Sequence, residues 1–314
     1  MLSRTADHLY WMARNIERAE NMARVLDVTQ KMALLAHAGQ QEASLWLPPV
    51  MISGNLAAFQ NQAGELNAAQ VFRYLALDEN NPTSIVSSLN SARENARAVR
   101  VAMSSEMWEN VNALWLELRA RISVGISENE LSEFCEWVKS SSHLFRGVTS
   151  GTMLRDDAHR FVQLGTFIER ADNTARLLDV KYHLLLPSQE SVGGALDYYE
   201  WSSLLRSVSS FEAYQKVFRD TIEPWRVAEL LVLRADLPRS LHACFDELLA
   251  ILEQLGSGSN KECLRLAGEL HARLHYGSME AIFQAGLHEF LADFIQHNNR
   301  LGLEIQHAFL SPPL

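Results

Sequence analysis

Cysteine is scarce in this chain, with Cys135, Cys244 and Cys263 among 314 residues. Their odd number and wide spacing argue against a disulfide framework and fit a reducing cytoplasm. Zinc has no support either, because no Cys-x-x-Cys pair occurs. Long apolar runs are missing too: nothing approaches the roughly 18 continuous apolar residues of a membrane span. The opening MLSRTADHLYWMARN is broken by Arg4, Asp7, His8 and Arg14 before a signal-peptide core could form. A cytoplasmic protein is expected. Positive charge is in deficit, with 28 basic residues against 38 acidic ones, a net charge of -10 and no local basic cluster. A nucleic-acid backbone would meet repulsion. Eight prolines and fifteen glycines leave room for long helices. No strand-like alternation of apolar and polar residues appears, so the class is all-α.

What the sequence does contain is a repeat. Residues 16–28, IERAENMARVLDV, return at 168–180 as IERADNTARLLDV, with ten of the thirteen positions identical. The correspondence extends along the chain at a nearly constant offset: Glu17 with Glu169, Trp46 with Trp201, Pro82 with Pro238, and LSEF at 131–134 with LHEF at 287–290. A period of about 155 is too long for a solenoid unit. The expected architecture is two similar helical bundles, 1–150 and 151–314, related by an approximate two-fold axis and capable of sharing one core.

Taken in order, 5–36 reads as one amphipathic helix, with Met12, Ile16, Ala19, Met22, Ala23 and Leu26 on its apolar face. AHAGQQEAS at 36–44 reads as a loop, a second helical segment starts near 46–49, and NQAGEL interrupts it. Pro82 is expected to open a helix over 82–103. Ser105 is expected to cap another over 106–122. A helix over 131–145 should stop at Gly147, which makes GVTSGTM, 147–153, the expected boundary between halves. A small insertion is expected near the first inter-helix loop of the second half.

On the repeated helix, 100 degrees per residue aligns Glu17, Asn21, Arg24 and Val28 on one stripe, with Arg18 flanking it. Glu169, Asn173, Arg176 and Val180, flanked by Arg170, form the same stripe in the second copy. A freely solvated face tolerates substitution within about 0.5 kcal/mol. Charged residues that match in both copies, while other positions have drifted, are therefore expected to be partly buried and paired, with Glu17 and Glu169 bonding arginines such as Arg18 and Arg170. The competing reading is a cleft in which Glu, Asn and Arg receive a carboxylate, phosphate or peptide, for which a guanidinium fork is suited.

IERAENMAR, IERADNTAR, MLSRTADHLYWMARN, FRGVTSGTMLRDDAHRF, SARENARAVR and SSEMWENVNALW together resemble the Alpha-E family of bacterial helical proteins across essentially the whole chain. The resemblance implies Glu17, Arg18, Glu169 and Arg170 as the motif residues. It also implies a helical accessory or interaction role in peptide synthesis or modification, beside ATP-grasp-like and transglutaminase-like partners. It implies no particular reaction; no cofactor and no metal are expected from the residues themselves. Trp11 against Gln163 marks a departure between the copies.

Other candidates are weak. His271 and His275 in HARLH are four apart, as in helical metal sites, but read as a surface or packed pair. Glu304 with His307 and Asp156 with His159 lack the matching pairs of a di-iron bundle. GSGSNKE at 256–262 lacks the Lys-Ser/Thr ending of a phosphate loop and reads as a helix connection. No Gly-x-Ser-x-Gly elbow occurs. Trp108, Trp115, Trp137 and Trp201 are expected in the core.

Overall fold

The computed structural model describes residues 1–35, 42–62, 65–127, 130–184, 195–256 and 260–310. Among these residues the chain forms fifteen α-helices and no strand. It divides into two compact units, Met1–Thr166 and Phe167–Leu314.

In the first unit, α1 (Ser3–Leu35) runs 33 residues without proline or glycine, a length of roughly 50 Å. It is followed by α2 (Glu42–Ile52), α3 (Leu56–Gln62), α4 (Ala68–Phe72), α5 (Ile85–Ala98), α6 (Ser105–Val124), α7 (Leu131–Thr152) and the first turns of α8 (Asp157–Leu184). The long helix packs along α5 and α7. Ala19, Ala23 and Leu26 press into a core shared with Trp46, Phe59, Phe72, Leu89 and Phe134. The small side chains let neighbouring helices approach closely. Gly165 in α8 shows how closely, since a Cβ there would lie 2.3 Å from the Tyr10 carbonyl oxygen of α1.

Three local expectations are corrected. The helix expected to open at Pro82 starts at Ile85, because Ser84 is its N-cap and accepts from the Ser87 amide at 3.1 Å. Pro82 lies in a turn organised by Asn81, which donates to the Tyr74 carbonyl at 2.9 Å and accepts from the Thr83 amide at 3.0 Å. The cap of α6 is Ser104, accepting from the Met107 amide at 3.2 Å, rather than Ser105. Gly147 does not stop α7, which continues through Gly151 to Thr152. Packing of the helix's other face outweighs the propensity cost of two glycines, roughly 1 kcal/mol each. Parts of the expected loops at 36–44 and 61–66, and the expected insertion after α8, lie outside the described residues.

The second unit holds most of α8, then α9 (Ala195–Ser207), α10 (Phe211–Phe218), α11 (Pro224–Val232), α12 (Leu241–Gln254), α13 (Lys261–His275), α14 (Met279–Ala285) and α15 (Leu287–Ile305). α12 packs on α13, and α13 on α15. Phe245 and Phe294 meet edge to face at 5.3 Å inside this core. Helices α5, α6 and α7 begin at Ile85, Ser105 and Leu131, while α12, α13 and α15 begin at Leu241, Lys261 and Leu287, 156 positions later in each case. No helix among the described residues is long and apolar enough to cross a membrane.

Candidate functional site

The first motif copy lies on a part of α1 whose polar groups are enclosed. Glu17 is 1% exposed and Glu20 is 0% exposed, and Asn21, Arg24 and Asp27 are buried with them. Buried charge requires a partner, and α7 supplies several. Arg146 donates through Nη1 to Glu17 Oε2 at 3.1 Å and also to Glu20 Oε2. Ser142 Oγ donates to the same Glu20 oxygen at 2.6 Å. Arg24 closes the other side of this carboxylate, with Nε 2.8 Å from Glu20 Oε1, and its Nη2 lies 2.9 Å from Nε2 of His143. One turn further along, Lys139 and Lys31 each donate to Asp27 Oδ2 at 2.8 Å. Burial pushes the Asp27 carboxyl up, but the bonds from Lys139 and Lys31 outweigh it and hold the group below its ordinary range.

The result is a charged seam. Residues 17, 20, 24 and 27 follow the i, i+3, i+4 spacing of one helix face, and 139, 142, 143 and 146 do the same on α7. Chemically this is an anion-holding network: a carboxylate offers about four lone-pair sites, and three donors already occupy Glu20. A carboxylate bonded on both oxygens in this way is held in position, which suits scaffolding better than proton transfer.

The second copy is arranged differently. Glu169 is 6% exposed and Arg170 is buried, with its guanidinium 5.3 Å from the centroid of the Phe167 ring. Asn173 and Arg176 are half-buried, as Arg18 is on α1. Arg176 pairs with Asp172 at 2.6 Å. Burial lowers the Arg176 value, but Asp172, then Glu169 and Asp179, raise it above the ordinary one. Asp179 meets Nδ1 of His288 on α15 at 2.6 Å, and Asn298 Nδ2 donates to the Ile168 carbonyl at 3.2 Å.

Sequence reasoning found Glu17, Asn21 and Arg24 but missed Glu20, Asp27 and their α7 partners. Glu20 and Asp27 were available as members of the same helical face. Lys139, Ser142 and Arg146 share a heptad-like spacing, but nothing in one sequence links that face to α1. Of the tryptophans, Trp201 is core, while Trp108, Trp115 and Trp137 are half-buried beneath the guanidinium groups of Arg100, Arg119 and Arg121. All three cysteines are buried. Burial pushes the Cys263 thiol up to about 11 and raises Cys135 further still, which removes both as nucleophiles near neutral pH. Asp156 bonds the Ala158 and His159 amides at the start of α8. Residues 257–259 of GSGSNKE lie outside the described residues.

Among the described residues of the first unit, two clefts bear on the site. The larger, about 700 Å³, is lined by Met1, Val101, Ser104, Thr152, Leu154 and Asp157 among others. The smaller, about 300 Å³, lies around Arg121, Val124, Glu130 and Phe134. Neither is lined by a motif residue. Val101 and Leu154, beside the larger cleft, are strongly exposed apolar side chains.

A family model described as Alpha-E, a predicted alpha-helical domain with a conserved ER motif, matches residues 1–310. The chain contains two Glu-Arg dipeptides, Glu17–Arg18 and Glu169–Arg170. Similar curated proteins come from Mycobacterium bovis and Mycobacterium tuberculosis, each described as an uncharacterized protein. Each is 26% identical over 319 residues, covering 93% of this chain and 35% of the relative. The chain therefore spans about a third of the length of the curated relatives it matches. No solved structure matches it.

Proposed function

This chain belongs to the Alpha-E family, and from that premise we propose that it is a helical accessory protein acting in the cytoplasm, one that docks an ATP-grasp-like or transglutaminase-like protein of a bacterial peptide synthesis or modification system. The observation that carries this reading is the enclosure of the motif, with Glu17 and Glu20 closed off from solvent and bonded to Arg146, Ser142 and Arg24. A cleft that received a small anion or peptide on these residues would need them within reach of solvent. The match to one third of a longer relative fits a module that works beside other protein. The exposed Val101 and Leu154 are the surface assigned to the contact, since apolar exposure away from the motif is what a docking protein retains.

We also read the chain as a tandem duplication with halves 1–150 and 151–314. The repeat of 16–28 at 168–180 supports the duplication, as do the matching helix starts. The caps Ser84 and Ser240 correspond, and so do the buried indoles of Trp46 and Trp201, each with an Nε1 unpaired among the described residues.

The test is a binding titration of the purified chain against the ATP-grasp-like and transglutaminase-like proteins of its own organism. Saturable binding by the wild type that is lost in a Val101→Asp, Leu154→Asp variant of unchanged helicity is the expected result. Failure to bind either protein, together with saturable binding of a small anion or peptide that Arg24→Ala abolishes, would transfer the function to the motif.

A further inference from the structure

Three imidazoles and a carboxylate converge in the second unit. His242 and Asp246 are one turn apart on α12, and His271 and His275 are one turn apart on α13, which packs against it. One ring nitrogen from each histidine can be chosen so that all three lie within 4.8 Å of one another. We propose that His242, His271, His275 and Asp246 form a zinc site that clamps α12 to α13.

The geometry supports four-coordination. Zinc–nitrogen distances of about 2.0–2.1 Å place the ligand atoms of a tetrahedral site about 3.4 Å apart. Nε2 of His242 lies 3.3 Å from Nδ1 of His275 and 3.5 Å from Oδ1 of Asp246, so two edges of the tetrahedron are already at that length. The third recorded edge, from His271 Nε2 to Asp246 Oδ1, is 2.8 Å and would open by about half an ångström on binding. Both side chains are part-exposed and free to make that adjustment.

The surrounding groups orient the ligands. Nδ1 of His242 is 2.8 Å from the Leu233 carbonyl. A carbonyl only accepts, so the proton resides on Nδ1 and the lone pair of Nε2 points toward His275 and Asp246. A backbone carbonyl that holds the remote nitrogen of a ligating imidazole is the usual outer partner of such sites. The rings of His271 and His275 stack, with centroids 5.4 Å apart and planes 24° apart, so both present an edge to the same side. Three imidazoles with one carboxylate suit zinc over the harder magnesium and calcium ions. Asp246 fills the fourth position, which makes the site a closed, structural one.

Without a metal, the same atoms can form a hydrogen-bonded chain from His275 to His242 and from His271 to Asp246, and the experiment separates the two cases. The full chain is dialysed against EDTA and titrated calorimetrically with zinc chloride. His275→Gln and His271→Gln are examined in parallel, with His307→Gln as a control far along the sequence. His275 is exposed and His271 half-exposed, so both variants should retain wild-type helicity and melting in EDTA, which circular dichroism checks. The expected result is binding of one zinc per chain, weakened at least about tenfold by either ligand variant and unchanged in His307→Gln, together with a zinc-dependent rise in Tm that the wild type and His307→Gln share and that either ligand variant diminishes. Cobalt(II) should give tetrahedral ligand-field bands that His275→Gln removes. Absence of saturable binding would overturn the site and leave the hydrogen-bonded chain. So would binding that survives in the His271→Gln, His275→Gln double variant, or that His307→Gln weakens equally.

Discussion

Arg146 of α7 and Glu20 of α1, 126 positions apart, are joined as an ion pair in which the carboxylate is fully enclosed and the guanidinium also bonds Glu17. This contact turns a helix stripe into a cross-helix anchor, and its removal has a definite consequence. Arg146→Met leaves two enclosed carboxylates short of a donor. The full penalty for breaking a buried pair is about 3–5 kcal/mol, and a loss of roughly 2–3 kcal/mol is expected here because Arg24 and Ser142 still bond Glu20. Urea unfolding followed by circular dichroism measures it.

Asp27 makes the seam acid-sensitive. Its folded value is depressed: burial raises it, but the bonds from Lys139 and Lys31 more than compensate. The stabilisation is therefore complete above the unfolded value of about 3.9 and is lost as pH falls through the lower folded value. Lys139→Met should flatten the decline in stability below about pH 4 relative to the wild type, as read from unfolding midpoints at a series of acid pH values.

Two helical glycines should respond oppositely to alanine. At Gly165 the new methyl would meet the Tyr10 carbonyl oxygen at 2.3 Å, so Gly165→Ala should cost about 1–3 kcal/mol through displacement of α1 from α8. At Gly147 the new Cβ would meet nothing within 4 Å beyond its chain neighbours and its own helix backbone. Gly147→Ala should stabilise by about 0.5–1 kcal/mol through helix propensity. Differential scanning calorimetry of the pair distinguishes the cases.

The cysteines are expected to be silent. With all three buried, and with Cys263 raised to about 11, a thiol reagent at pH 7.5 should modify none in the native protein and all three after denaturation. Rapid labelling of the folded chain would contradict this.

Much of the fold was legible because it depends on local pattern. The uninterrupted α1, the absence of strands among the described residues and the repeat of the Ile-Glu-Arg helix follow from periodicity and from the lack of breakers. Boundaries were less legible where tertiary packing competed with propensity: Gly147 and Gly151 are poor helix formers, yet α7 runs through both. Pro82 misled because Ser84, two positions later, has the stronger capping geometry. At the motif, Glu17 and Arg24 could be read from the repeat, but Arg146 could not. Its role arises from the packing of α7 on α1, a contact that leaves no spacing signal in either helix. His242 was hidden in the same way, since HARLH at 271–275 points to a pair and the third imidazole comes from another helix.

Glu17 of the Glu-Arg motif on α1 is enclosed and bonded by Arg146 of α7, so it is expected to anchor the two helices. The urea midpoint of Glu17→Gln at pH 7, compared with that of the wild type, measures the anchoring. A lower midpoint with an unchanged denaturant slope, equivalent to a loss of about 1–3 kcal/mol from an enclosed, arginine-bonded carboxylate, is the expected result. A midpoint equal to that of the wild type would rule out an anchoring role, because Glu17 would then contribute nothing to the fold and its enclosure would have to serve binding or reaction.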